Sequence, residues 1–151
     1  MRRADCCFVS STGGHLAHLL PLTDVVGSNR IWVTFRKPDA LFHLADERVL
    51  FAYFPTNRNL LNLARNFFVA ARVLALYRPR VIVSAGAGVA IPFFVLGRLC
   101  RSRLIFLEVF DRIDSPTITG RLCHVLAHRF LVQWPEQQAF YPKAELVGAV
   151  L

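Results

Sequence analysis

Three short stretches hold most of the residues whose types could do chemistry. The first, Ser10-Ser11-Thr12-Gly13-Gly14-His15, ends an apolar run and opens a segment of helical period. Glycines at such a junction let the backbone turn sharply and come close to a ligand, and the first helical turn after it carries unpaired N–H groups. Those donors and the helix dipole together favour an anion by roughly 0.3–2 kcal/mol, so a phosphate suits Ser11, Thr12, Gly13 and Gly14. His15 stands at the mouth of the loop. With an ordinary pKa of about 6.5, an imidazole there can take a proton from a hydroxyl or bond a phosphate oxygen. A purely structural cap is the alternative.

The second stretch, Gly86-Ala87-Gly88, repeats the arrangement, and two glycine loops side by side suit a diphosphate better than one. The third runs from Leu107 to Ser115 and places Glu108 at the end of an apolar run, with Arg112 and Ser115 behind it to grip a phosphate. Glu108 is therefore the other candidate base, set against a Glu108–Arg112 ion pair that only pins the loop. His124 and His128 stand one helical turn apart, but no third ligand of suitable spacing accompanies them, so no zinc site is expected.

These stretches need a frame that brings them together. Strand-length apolar runs cover Asp5–Ser10, Arg30–Phe35, Arg48–Phe54, Arg80–Ser84, Arg103–Val109 and Phe130–Gln133. Helical periods cover Gly14–Val26, Pro38–Ala45, Asn59–Tyr77, Val89–Cys100 and Thr117–His128. Alternation of this kind predicts one α/β domain over 1–151, a Rossmann-like doubly wound parallel sheet with helices on both faces. Ligands in that architecture bind beyond the carboxyl ends of the strands, where the strand order reverses. Loops after strands one, four and five should then form the site.

Hydrophobic residues make up 54% of the 151, including 13 Phe, which is ample for a core and leaves apolar surface for a membrane or a partner. The net charge of +8 is spread over dispersed Arg without a run of like charges, which argues against nucleic acid and suits phosphates or anionic headgroups. Cys6, Cys7, Cys100 and Cys123 read as buried thiols. Met1-Arg2-Arg3 leads into only a short apolar stretch, so no cleavable signal is expected and the protein should stay cytoplasmic. Val81–Gly97 is uncharged but broken by Gly86, Gly88 and Pro92, which fits strand, loop and helix better than a span. Along Asn59–Tyr77, Asn62, Arg65, Asn66 and Arg72 share about a third of the helical circle. The remaining arc, with Leu60, Leu63, Phe67, Phe68 and Leu74, can lie in a headgroup layer or pack on the sheet.

Taken in order, the chain resembles the bacterial PssD and CpsF exopolysaccharide subunits and the eukaryotic asparagine-linked glycosylation protein fourteen. The likeness is carried by Ser10 to Leu16, Pro55-Thr56-Asn57-Arg58-Asn59-Leu60, Ser84 to Phe93, Glu108 through Gly120, and Val132-Gln133-Trp134 with Tyr141-Pro142-Lys143. The resemblance implies the N-terminal, acceptor-binding half of a GT-B glycosyltransferase related to MurG. It further implies a separate PssE-like donor-binding chain supplying the UDP-sugar, a polyprenyl-diphosphate-linked acceptor, and peripheral attachment to the cytoplasmic face of the plasma membrane. Under it, His15 or Glu108 is the base, and because helix dipoles and donors meet the leaving diphosphate, neither metal nor cofactor is expected. Two departures stand out: the membrane-spanning start of the eukaryotic relatives is missing, and His18 replaces an acidic residue of many relatives. Two other functions compete, a non-catalytic scaffold that recruits the donor-binding chain, and a dinucleotide-binding protein built on Gly86-x-Gly88, whose third glycine is replaced by Ile91.

Overall fold

The computed structural model describes residues 3–151, so Met1 and Arg2 of the basic start lie outside the described residues. Seven parallel strands form one sheet: β1 (Cys6–Ser10), β2 (Arg30–Phe35), β3 (Val49–Ala52), β4 (Val81–Gly86), β5 (Arg103–Leu107), β6 (Arg129–Val132) and β7 (Glu145–Leu146), in the order β3-β2-β1-β4-β5-β6-β7. The order reverses between β1 and β4, whose register runs from Cys6 opposite Val81 to Ser10 opposite Gly86. A crevice opens at that point because the chain leaves β1 and β4 toward opposite faces.

Five helices cover the faces: α1 (Gly14–Leu19), α2 (Pro38–His43), α3 (Leu60–Tyr77), α4 (Ala90–Leu99) and α5 (Ile118–Leu126). One core joins Cys6, Phe8, Trp32 and Val83 to Leu16, Leu19, Ala40 and Leu44 of α1 and α2 and their flanks. The other joins Cys7, Val9, Ile82, Leu104 and Phe106 to Ala70, Val73 and Leu74 of α3 and to Phe93 and Phe94 of α4. Strand residues thus alternate between two apolar layers, as a sheet buried on both faces requires.

The expected alternation is present, with adjustments that have physical causes. The helix expected to run to Val26 stops at Leu19 and continues as a 3-10 turn over Leu20–Asp24, because Pro21 has no N–H for the next α-helical bond. Beyond β6 lie a 3-10 turn over Pro135–Ala139 and the two-residue β7, neither of which the sequence signalled. Cys6, Cys7 and Cys123 are buried free thiols, whereas Cys100 is exposed at the end of α4, against expectation.

Helix α3 corrects a larger expectation. Its length and composition would allow it to cross a membrane, but it packs along α4, and its polar arc is split, with Arg65 and Arg72 exposed and the two asparagines turned inward. Asn62 and Asn66 are buried while Leu60 is 80% and Phe68 79% exposed. The asparagines hold the turn before the helix: Asn62 Nδ2 donates to Pro55 O (2.8 Å), and Asn66 accepts from Tyr53 N–H (2.8 Å) and donates to Tyr53 O (3.0 Å). Of the five residues expected to face a membrane, Leu74 is buried in the core, Leu63 and Phe67 are half-buried, and Leu60 and Phe68 are open. Val81–Gly97 divides into β4, a loop and most of α4.

Candidate functional site

A cleft of about 1010 Å³ lies beyond the carboxyl ends of β1, β4 and β5. Gly14, His15, Gly86, Ala87, Gly88, Glu108 and Arg112 line it, so the three stretches singled out in the sequence converge. The two glycine loops are adjacent: Ser11 N–H donates to Gly86 O at 2.9 Å, extending the β1–β4 ladder. Gly86 has φ +96°, and a Cβ there would come within 3.3 Å of His15 Nδ1, so both backbone shape and the closeness of the ring call for glycine.

His15 is held in one tautomer. Its Nδ1 lies 2.7 Å from Ala85 O, and a carbonyl can only accept, so Nδ1 carries the proton. In the neutral ring Nε2 is then the acceptor, and among the described residues it has no partner. Burial lowers the His15 pKa from its usual value, outweighing the Ala85 carbonyl, so the ring is neutral at pH 7 with a lone pair available. His18 differs. Nδ1 donates to Gly14 O (2.6 Å) and Nε2 accepts from Phe110 N–H (3.3 Å), leaving this buried ring as a tie between α1 and the loop after β5.

Glu108 sits at the end of β5 as expected, but its side chain turns inward and is 1% exposed. Oε2 accepts from Tyr141 O–H at 2.6 Å and Oε1 from Val109 N–H at 3.1 Å. Burial raises its pKa, with the Tyr141 hydrogen bond opposing. Glu108 is among the residues lining the cleft, but among the described residues it forms no ion pair with Arg112, so the ion-pair reading does not match its geometry. It anchors the loop instead. The carbonyls of that loop are held by the segment after β6: Gln133 bonds Glu108 O, Trp134 bonds Phe110 O, and Gln137 bonds Val109 O and Arg112 O, at 2.7–3.2 Å.

Four expected phosphate-binding residues fall outside the lining. Ser11 is buried with its amide in the ladder, and Thr12 follows it away from the cleft. Gly13 N–H donates to Asp39 Oδ2 at 2.7 Å, so a carboxylate already occupies the place an anion would take. Ser115 is exposed, and the chain re-enters the cleft only at Thr117, whose Oγ1 caps α5 by accepting from Gly120 N–H (2.8 Å). The amides of Ala87, Gly88 and Val89 before α4 are open, with no acceptor among the described residues. Thr56, Asn57, Arg58 and Thr119 also line the cleft and were not among the expected site residues. A Cβ on Gly88 would meet Thr56 at 3.3 Å, so the loop before α3 lies directly on the second glycine loop. His124 and His128 do not converge: His124 packs edge-on against Phe130, and His128 Nδ1 accepts from Leu104 N–H. Among the described residues no cluster of three or more His, Cys, Asp or Glu could hold a metal ion.

Residues 55–150 match the family model described as oligosaccharide biosynthesis protein Alg14 like, which covers the larger part of the chain and every cleft loop except the first. The chain belongs to this Alg14-like family. Its relatives include the UDP-N-acetylglucosamine transferase subunit ALG14 of Debaryomyces hansenii, 23% identical across all of this chain and 78% of that protein. The Schizosaccharomyces pombe subunit of the same description is 32% identical over 48% of this chain and 37% of its own. Among solved structures, Acinetobacter baumannii MurG superposes with TM-score 0.72 at 15% identity, over 87% of this chain and 42% of MurG. The S. aureus MnaA–UDP co-structure gives TM-score 0.76 at 11% identity, over 96% of this chain and 45% of that one. The chain thus spans less than half of these solved neighbours and has the Rossmann-like fold of the N-terminal half of GT-B proteins such as MurG.

Proposed function

We propose that this Alg14-like chain is the acceptor-binding, membrane-associating half of a two-chain inverting UDP-sugar glycosyltransferase. Its acceptor is a sugar linked to a polyprenyl diphosphate, in polysaccharide biosynthesis. One observation carries the reading: at the β1–β4 switch point His15 is fixed as the neutral Nδ1–H tautomer, with Nε2 unpartnered beside a loop of open amides.

In this reading the acceptor hydroxyl lies against Nε2, which takes its proton as the oxygen bonds to the anomeric carbon of the donor. The bond from that carbon to the diphosphate oxygen breaks on the far side, its electron pair leaves with UDP, and configuration inverts. A positioned base of this kind contributes roughly 10²–10⁴-fold. Gly86–Gly88 and Arg112 receive the acceptor's diphosphate, and Glu108 keeps the Arg112 loop in place. The UDP-sugar is held mainly by a donor-binding chain of the PssE kind, whose amides and helix dipoles meet the leaving charge without metal or other cofactor. The scaffold alternative gains from the inward turn of Glu108, but it gives no role to the open nitrogen of His15. Membrane contact falls to the outer face of α3, where Leu60, Leu61 and Phe68 stand with Arg65 and Arg72 at the edge, peripheral to the cytoplasmic face.

The test is co-expression with the adjacent donor-binding chain and incubation with UDP-N-acetylglucosamine and other UDP-sugars on a polyprenyl-diphosphate-linked sugar. Transfer by the pair and by neither chain alone is expected. A pair that assembles yet transfers nothing from any UDP-sugar would sink the proposal.

A further inference from the structure

The turn between β3 and α3 is held at the cleft by three asparagine side chains of the helix that follows it, and nothing above assigns it a role. Asn59 caps α3, its Oδ1 accepting from Asn62 N–H at 2.9 Å. Asn62 holds Pro55 O, and Asn66 holds both backbone groups of Tyr53. Two buried amide side chains of α3 thus fix the loop that precedes the helix, and Thr56 then abuts Gly88. The cation that the loop presents to the cleft, beside Thr56 and Asn57, is Arg58.

Arg58 has φ 50°, the left-handed region that non-glycine residues seldom adopt. Arg78 and Arg101 also have positive φ, but each follows the end of a helix, where a left-handed residue is the usual termination. Arg58 precedes a helix and terminates nothing. Its side chain is exposed and makes no hydrogen bond or ion pair among the described residues, while Leu60, two residues on, opens the apolar outer face of α3. A cation at the cleft directly before an apolar face matches a ligand with a charged head and a lipid tail.

We propose that Arg58 is a binding residue for the diphosphate of a prenyl diphosphate, acting from a different loop than Arg112, with Asn62 and Asn66 as its positioning residues. The inference rests on the proposed acceptor and assigns it a second cation. Arg58 bonds phosphate oxygens where the head meets the lipid surface, and the prenyl chain leaves along Leu60 and Leu63.

Titrating the whole chain with farnesyl diphosphate, farnesyl monophosphate, farnesol and inorganic pyrophosphate in one detergent, and with phosphatidylglycerol vesicles, tests it. Arg58→Ala should weaken farnesyl diphosphate binding on the order of tenfold or more, as loss of a charge-assisted contact does. Arg58→Lys should recover part of this loss. Arg58→Gly should bind as weakly as the Ala variant while its Tm holds or rises, because glycine accepts a positive φ. Arg101→Ala, at the other end of the sheet, should bind as wild type. In the assembled pair Arg58→Ala should raise the acceptor KM and leave kcat. Unchanged diphosphate binding in both Arg58→Ala and Arg58→Gly overturns the inference, as does an equal loss on phosphatidylglycerol vesicles or farnesol, which makes Arg58 a general lipid contact. Wild type that binds no prenyl diphosphate overturns the acceptor reading itself, and this inference with it.

Discussion

Replacing Asn66 by Ala removes the two hydrogen bonds that tie α3 to Tyr53, one to its N–H and one to its carbonyl. A hydrogen bond of this type contributes about 0.5–1.5 kcal/mol net, so the pair contributes about 1–3 kcal/mol, or about 2–12 °C in Tm for a domain of this size. An asparagine facing solvent gives the opposite sign, since alanine is the better helix former by up to about 0.7 kcal/mol. Urea and thermal unfolding of Asn66→Ala therefore decide which side of α3 faces the protein. Asn66→Asp should be worse at neutral pH, because it keeps an acceptor for Tyr53 N–H but sets a second oxygen against Tyr53 O. An Ala variant as stable as wild type, or more so, would refute the inward placement and with it the support claimed for the Thr56–Arg58 loop.

Other outcomes follow from the same coordinates. In liposome flotation with anionic lipid, Phe68→Asp should bind less than wild type and Leu74→Ala should bind equally well once folded, because Phe68 is exposed and Leu74 is core; equal flotation of Phe68→Asp removes α3 from the membrane contact. Burial raises the Glu108 pKa above its ordinary value near 4.5, so the folded state holds that proton more tightly than the unfolded chain. Its stabilising contribution is complete below about pH 4.5 and is lost as pH rises through the raised value. Glu108→Gln should accordingly lose less stability than wild type across that interval, and a wild type that gains on the variant as pH rises would contradict this. The Gln variant should also keep most transfer activity in the assembled pair, since Gln can still bond Tyr141 and Val109.

The alternation of strands and helices, the two glycine loops and His15 were all legible, because each depends on local sequence: period, a strand-to-helix junction, a residue without Cβ. What was not legible depends on partners far along the chain. A helical wheel shows that Asn62 and Asn66 share an arc with Arg65 and Arg72 but not that Tyr53 and Pro55 need the two asparagines, which turns that edge of the arc inward. Asp39 reaches Gly13 across 26 residues and Tyr141 reaches Glu108 across 33, and in both cases an apparently free group is already engaged. Pro21 was a readable stop to α1 that the apolar period masked. Pro55-Thr56-Asn57 signals a turn, but a residue with positive φ leaves no mark in sequence unless it is glycine or asparagine, which hides Arg58.

The proposed chemistry is tested most directly at His15. With the donor-binding chain in place, His15→Gln should co-purify and bind acceptor as wild type does, while kcat for sugar transfer falls on the order of a hundredfold or more. Wild-type kcat should hold as pH drops to about 6.5 and decline only below it, since burial lowers the pKa of this imidazole from that value. Full turnover by the intact His15→Gln pair would contradict the assignment of the base and leave the cleft as a binding surface alone.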